Sequence, residues 1–276
     1  MNREIKMIGL DLDGTLLTDK KELTAYTREV LEKAIGQGVT VLVATGRPIS
    51  AIPEELTLFP GMRYVVTSNG ARVLDLSENR VLIEHTMSQE TAGALLDILK
   101  DYDAIREAFI DGVSYCAKEP MSRAYEFFDK PYMGDYILNT RIPAESVKEQ
   151  VFLLGKRVDK VHGIFKDLTE RREALERMKK VPGIVITGAF GNSLEINAEG
   201  TSKAESLICL GKLLGIRREE IMTCGDGMND YEMIEKAGFG VAMENGNPKV
   251  KAIADYVTVS NEEDGVAKAI EKFVLR

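Results

Sequence analysis

The chain has 276 residues, a formal net charge of −8 and 44% hydrophobic side chains, with 24 Gly, 8 Pro and no Trp. Such a composition can fill a core and excludes a disordered or low-complexity chain, while the acidic balance argues against nucleic-acid and anionic-membrane partners, which call for basic surface. Cys116, Cys209 and Cys224 form no CxxC pair and are joined by only two histidines, so neither a disulfide framework nor a zinc site is expected.

The length suits a domain with a sizeable insertion, because single cores stop growing near ~250–300 residues. The opening MNREIKMIGL carries charge on both sides of a short apolar run and lacks a small-residue cleavage site. It therefore predicts no signal peptide or membrane span, and a cytoplasmic location.

In chain order, IKMIGL (5–10) is a β-branched apolar run that stops abruptly at Asp11, and reads as a buried strand. TAYTREVLEKAIGQ (24–37) places Tyr26, Val30, Leu31, Ala34 and Ile35 at helical spacing, ahead of Gly38. VTVLVA (39–44) is the next strand, ending at Thr45, and a helix is expected from Pro48. RYVVTS (63–68) is a third strand, ending at Asn69. The segment 84–190 changes character: helical stretches SQETAGALLDILKD and LTERREALERMKK alternate with short extended runs VHGIF and GIVIT. It reads as an inserted α+β unit. In the second helical stretch Leu168, Leu175 and Met178 form an apolar stripe and the charges alternate in sign, so it reads as a solvated face rather than a basic docking helix. From 191 onward the helix–strand rhythm returns through KAESLICLGKLLG, IMTC, YEMIEKA, GFGVAM, KVKAIA, YVTV and GVAKAIEKF.

The fold class expected is α/β, a doubly wound and mostly parallel sheet with an inserted α+β cap. Its domains would be 1–83 (core), 84–190 (cap) and 191–276 (core), with most of the acidic excess outside the cap. In such sheets ligands gather beyond the carboxyl ends of the strands, where the polar residues that end each run are found.

Asp11 and Asp13 leave the first strand together, with Gly14 free to turn. Two carboxylates in one small volume make sense if a cation neutralises one and the other holds a proton at some stage; a plain DxDG turn is the alternative. Thr45 and Gly46 offer a hydroxyl and an amide to an anion, or simply a helix cap. Lys203 lies in the first turn of a helix capped by Ser202 or Thr201, where its charge opposes the helix dipole and calls for an anionic partner, unless it is an ordinary surface lysine. GDGMND (225–230) crowds Asp226, Asn229 and Asp230 onto a glycine-rich loop, a donor set for Mg²⁺ or an Asx-rich turn.

In order, DLDGT (11–15), ATGR (44–47), Lys203 and GDGMND (225–230) resemble the four motifs of haloacid dehalogenase-like phosphatases. SNGA (68–71), the placement of the insert and the long C-terminal tail resemble its Cof-like subgroup of sugar-phosphate phosphatases; Ala204 and Gly246 depart from the subgroup's usual Gly and Ala. The resemblance implies a Mg²⁺-dependent phosphatase in which Asp11 is the nucleophile and Asp13 moves the proton. It further implies that Leu12, Thr45, Gly46, Lys203 and Asn229 hold the phosphate, and that Asp11, Asp13, Asp226 and Asp230 hold the metal. Arg47 and Asn69 are candidate substrate contacts. The expected partner is a small phosphorylated metabolite, with no nucleic acid and no membrane; oligomeric state is unread. A sugar phosphomutase and a non-catalytic phosphometabolite-binding regulator are the alternatives. Arg106, Tyr115, Arg123, Tyr132 and Lys166 of the insert suit a polar ester but read as ordinary surface or packing residues.

Overall fold

The structure, a computed structural model, describes residues 4–187 and 191–275. Strands β1 (Met7–Leu10), β2 (Thr40–Ala44), β3 (Tyr64–Thr67), β4 (Arg72–Asp75) and β5 (Arg80–Glu84) come first in the chain. Then follow β6 (Ala104–Ile110), β7 (Val113–Ala117), β8 (Ile142–Ala144), β9 (Lys160–Phe165), β10 (Ile184–Thr187) and β11 (Ser193–Ala198). The last three are β12 (Ile221–Gly225), β13 (Phe239–Ala242) and β14 (Tyr256–Val257). They form two sheets, one ordered β14-β13-β12-β1-β2-β3-β4-β5 and one ordered β10-β11-β9-β6-β7-β8. No helix among the described residues is long and apolar enough to cross a membrane.

The first unit comprises Met1–Gly46, Pro53–Glu84 and Ser202–Arg276. Its sheet is parallel from β14 to β3, and β4 and β5 extend it antiparallel. β1 is buried at every position because helices cover both faces, as parallel strands joined by crossovers require. Met7 pairs with Ile221 on one side and Thr40 on the other, and Leu10 with Cys224 and Val43. The polar residues that end β1, β2 and β12 therefore emerge side by side at one sheet edge. That edge is the switch point where strand order departs in two directions from β1.

The second unit comprises Arg47–Ile52 and His85–Thr201, an α+β cap. Helices Gln89–Leu99, Val147–Leu154 and Leu168–Met178 lie on one face of its sheet around Leu95, Leu99, Val151, Val161, Phe165 and Met178. Segments from Lys118 to Thr140 cover part of the other face through Met121, Phe127 and Ile137, packed on Ile105, Cys116 and Ile164. In Leu168–Met178 the buried stripe is Ala174 and Met178; Leu168, at the first position of the helix, is exposed.

Two expectations differ from the structure. The boundary drawn at 190/191 falls instead at Thr201/Ser202, because β11 pairs antiparallel with β9 and β10 and so belongs to the cap sheet. No long helix starts at Pro48: a single 3-10 turn, Ile49–Ala51, is followed by the four-residue helix Glu54–Thr57. Pro53 disfavours helical backbone at Ile52, which adopts ψ 134° and ends the turn. No long helix dipole therefore stands behind Thr45.

One contact in the first unit fixes where the helix Lys203–Leu213 begins. Ser68, Asn69 and Gly70 follow β3 with φ of 50°, 60° and 101°, so three successive residues take the left-handed region. A Cβ on Gly70 would fall 2.4 Å from the Ser202 carbonyl oxygen, and Ser206 Oγ donates to the Gly70 carbonyl at 2.8 Å. We expect Gly70→Ala to destabilise the protein by about 2 kcal/mol or more, through strain and a backbone clash together. Urea denaturation measures it, and a loss below about 0.5 kcal/mol would contradict the contact.

Candidate active site

β1 delivers Asp11 to the sheet edge, where its amide donates to the Cys224 carbonyl at 3.0 Å. The chain then turns through Leu12 to Leu17; Leu12 is fully buried and its carbonyl accepts from the Leu17 amide at 3.0 Å. Ser202 caps the helix Lys203–Leu213 by accepting from the Ala204 amide, which sets Lys203 as the first helical residue. Lys203 is 1% exposed, and its Nζ donates to Asp11 Oδ1 at 2.5 Å and to Asp230 Oδ1 at 2.7 Å. The anion demanded by a cation at this end of a helix is thus supplied by two carboxylates.

Beyond β12, the Gly225–Asp230 loop folds around Asp230. Its Oδ2 accepts from the amides of Asp226 at 3.1 Å and Gly227 at 2.9 Å, and Asp230 is fully buried. Thr15 Oγ1 donates to Asp226 Oδ1 at 2.9 Å, and Asp226 Oδ2 lies where a Cβ on Gly14 would come within 2.7 Å. Gly14 has φ +84°, so both its conformation and its neighbour call for glycine. Asn229 sits half-buried in the single turn Met228–Asp230.

Asp11, Asp226 and Asp230 each bring a carboxylate oxygen within 4.8 Å of the others. Both oxygens of Asp230 are already engaged, by Lys203 and by the loop amides, which makes it an organiser of the loop. Asp11 Oδ2 and Asp226 Oδ2 accept no hydrogen bond among the described residues. Hard oxygen donors gathered this way suit a divalent cation, Mg²⁺ included, that completes its shell with water and substrate oxygen.

The other expected residues are distributed as follows. The Thr45 amide donates to the Val66 carbonyl at 2.9 Å and the Asn69 amide to the Thr45 carbonyl at 3.0 Å, so the left-handed turn after β3 pins the end of β2. Gly46 is half-buried next to it. Asp13 pairs with Lys21 at 2.7 Å, and its carboxylate lies outside the Asp11–Asp226–Asp230 cluster. Arg47 groups with the cap: its Nη1 donates to the Ala51 carbonyl at 2.9 Å and its guanidinium stacks on Tyr136, 4.8 Å from the ring centre. Arg123 and Lys166 are taken up in surface ion pairs with Asp103 and Glu126.

Thr15, Lys21, Asn245 and Asn261 were not singled out from sequence. Asn245 Nδ2 donates to the Gly14 carbonyl at 2.8 Å and its Oδ1 accepts from the Asn261 amide; Asn261 Nδ2 donates to the Leu17 carbonyl at 3.0 Å. These two asparagines tie the turn after Asp11 to the C-terminal segment. Their spacing of 245 and 261 against 14 and 17 carries no periodic signal that could have revealed it.

A family model of haloacid dehalogenase-like hydrolases matches residues 8–270. The chain belongs to the haloacid dehalogenase-like hydrolase family. It is 30% identical to the Bacillus subtilis (strain 168) 5-amino-6-(5-phospho-D-ribitylamino)uracil phosphatase YcsE, over 99% of this chain and 97% of that one. It is 32% identical to the putative phosphatase YxeH of the same organism, over 98% of each. Among solved structures, a subclass IIB sugar phosphatase of the superfamily, BT4131, superposes with a TM-score of 0.82 at 27% identity, covering 97% of this chain and 98% of that one. A haloacid dehalogenase-like hydrolase from Bacteroides thetaiotaomicron superposes with a TM-score of 0.81 at 28% identity, covering 98% and 99%. The protein is thus an enzyme, a haloacid dehalogenase-type phosphatase.

In this phosphatase the electrostatics of the carboxylate cluster are set by burial. Burial, and then the Asp230 carboxylate, hold the Asp11 carboxyl well above the usual carboxylate range against the pull of Lys203. Burial and Asp230 likewise push Asp226 up to about 7, with the Thr15 hydrogen bond opposing. Burial would lower Lys203, but Asp11 and Asp230 outweigh it and keep the ammonium charged. Replacing Lys203 by Met leaves two buried carboxylates uncompensated, a loss of about 3–5 kcal/mol. Chemical denaturation without metal measures this, and a loss under about 1 kcal/mol would show that the ammonium does not hold the cluster together.

A second expectation follows from Asp226. Its folded-state carboxyl titrates at about 7 against 3.8 ordinarily, so the metal-free fold holds a proton that the unfolded chain releases between those values. Stability from this group is complete below the ordinary value and is lost as pH rises through about 7. A divalent ion binds the deprotonated form, so the rise in melting temperature on adding Mg²⁺ should be larger at pH 8 than at pH 5.5. Thermal denaturation at both pH values, with and without Mg²⁺, checks the sign.

Proposed function

We propose that the protein is a Mg²⁺-dependent phosphatase that hydrolyses a small phosphorylated metabolite, a sugar phosphate or a similar ester, through an aspartyl phosphate at Asp11. The observation that carries this reading is the buried ammonium of Lys203 shared between Asp11 and Asp230 beside Asp226. A carboxylate held at a strand end by a lysine, with a further carboxylate for a cation, is equipped to take up a phosphoryl group.

In this reading an Asp11 oxygen attacks phosphorus and the bond from phosphorus to the ester oxygen breaks. Asp13 gives its proton to that oxygen as the alcohol departs, and then takes a proton from the water that attacks the phosphorylated Asp11. Inorganic phosphate leaves and both aspartates return to their starting forms. Lys203, the Thr45 hydroxyl, the Gly46 amide, the Leu12 backbone and Asn229 hold the phosphoryl oxygens in place. Mg²⁺, held by Asp11, Asp226 and the Asp13 carbonyl with Asp230 in support, would neutralise the crowded carboxylates and draw charge from the phosphoryl oxygens. The position of Asp13 supports this scheme, because its side chain is about a quarter exposed, outside the carboxylate cluster, and is paired with the Lys21 ammonium. The names of the relatives support hydrolysis over transfer back to a sugar, and the charge of −8 disfavours a polyanionic macromolecule as substrate.

Asp11→Asn should lower phosphate release from p-nitrophenyl phosphate by at least about 1,000-fold. The wild-type rate should fall to background when Mg²⁺ is chelated. Full activity in Asp11→Asn would remove Asp11 from the role of nucleophile.

A further inference from the structure

The turn that carries Asp13 runs into a short closed loop, Thr18 to Glu22, which the phosphoryl chemistry above does not use. Thr18 closes it three times over. Its amide donates to the Glu22 carbonyl at 3.0 Å, its carbonyl accepts from the Lys21 amide at 2.8 Å, and its Oγ1 accepts from the Glu22 amide at 3.2 Å. The C-terminal segment braces the loop from outside: the Asp19 amide donates to Glu262 Oε1 at 2.6 Å, and Asn261 Nδ2 donates to the Leu17 carbonyl at 3.0 Å and to Asp19 Oδ1 at 3.4 Å. Asp13 and Leu17 form an isolated β-bridge, which ties the start of the loop to the aspartate. Every residue involved belongs to the first unit.

Within this loop Lys21 takes the left-handed region, with φ 66°, a conformation that Gly or Asn adopts at less cost. Its side chain runs back to the turn, where Nζ lies 2.7 Å from Asp13 Oδ1. The two side chains are 31% and 24% exposed, and an ion pair so open to water contributes little to stability. Stability therefore does not account for a lysine held in a strained conformation at the tip of a doubly braced loop. Strain of this kind is retained where function asks for it. What the pair accomplishes is to fix the Asp13 carboxylate, the one group that proton transfer requires in a defined place.

We propose that Lys21 is a positioning residue for the acid–base step: its ammonium holds the Asp13 side chain where it can hand a proton to the departing alcohol. This rests on the phosphatase reading above. As the bond from phosphorus to the ester oxygen breaks, the Asp13 proton passes to that oxygen and the negative charge it leaves behind stays on the Asp13 carboxylate. An ammonium attracts a carboxylate strongly and a neutral carboxyl weakly, so the hold of Lys21 on Asp13 tightens as the proton leaves. The interaction thus favours the transition state of alcohol departure over the bound ester. Lys21 acts through Asp13 and touches no reacting atom.

The test compares phenyl phosphate with p-nitrophenyl phosphate on wild type, Lys21→Met and Lys21→Arg, all with saturating Mg²⁺. The two esters are alike in shape near phosphorus and differ in how much the departing oxygen needs a proton: phenolate is a poor leaving group and p-nitrophenolate a good one. Because kcat/KM covers only the steps up to departure of the alcohol, hydrolysis of the phosphorylated Asp11 does not enter it. The ratio of kcat/KM for phenyl phosphate to that for p-nitrophenyl phosphate should fall about tenfold in Lys21→Met and return to within about threefold of wild type in Lys21→Arg. A lysine that merely supports the loop would lower both rates in proportion, and since each ratio is taken on one preparation, any unfolded fraction cancels. A ratio in Lys21→Met within about twofold of wild type would overturn the proposal, and so would a ratio as low in Lys21→Arg as in Lys21→Met. Wild-type protein that releases phosphate from neither ester would overturn the phosphatase reading, and this inference with it.

Discussion

The arrangement of the first unit depends on one buried ammonium. Lys203 comes out of solvent to sit between Asp11 and Asp230, and none of the three could be buried without the others. Moving an isolated charge into a protein interior costs several kcal/mol, which a single opposite charge repays only in good geometry. Here two carboxyl groups share one ammonium, with Asp226 crowded beside them, and burial holds Asp11 and Asp226 toward their protonated forms. The result is a site that is stable enough to fold but electrostatically unsaturated, and a divalent cation is the natural complement.

Much of the surrounding fold serves to hold that ammonium in place. The left-handed residues after β3 let Gly70 abut the Ser202 carbonyl, so the helix carrying Lys203 can begin where it does. The same turn ties Asn69 to Thr45 and thereby the end of β2 to the end of β3. On the opposite side, the Asp230 carboxylate closes its own loop through two amides. Backbone strain of this kind persists only where the surroundings over-determine it, and it collects at functional sites. Asn245 and Asn261 add a brace from the C-terminal segment to the turn that carries Asp13 and Thr15.

The cap uses buried charge differently. There Arg141 pairs with Glu107 and Lys160 with Glu195, and His162 Nε2 has no hydrogen-bond partner among the described residues.

The parallel strands of the first unit and the helices of the C-terminal half were legible in the sequence because they rest on local patterns: apolar runs cut off by Asp, Thr or Gly, and helical spacing bounded by caps. β1, β2, β3 and β12 all lie where their apolar runs predicted. The doubly wound class followed from the order of those patterns. What tertiary structure alone decided were relations between distant residues, which no local pattern encodes. Lys203 was readable as a cation in need of an anion, but that Asp11 and Asp230 would both meet it, 192 and 27 residues away, depended on how the strands align. Residues 193–198 were assigned to the core only by the boundary drawn at 190/191, and the pairing of β11 with β9 and β10 places them in the cap. The polar cluster around His162 was invisible for the same reason. Glu107, Arg141, His162 and Glu195 come from separate elements and read singly as surface charges, until cross-strand register stacks them on one buried face.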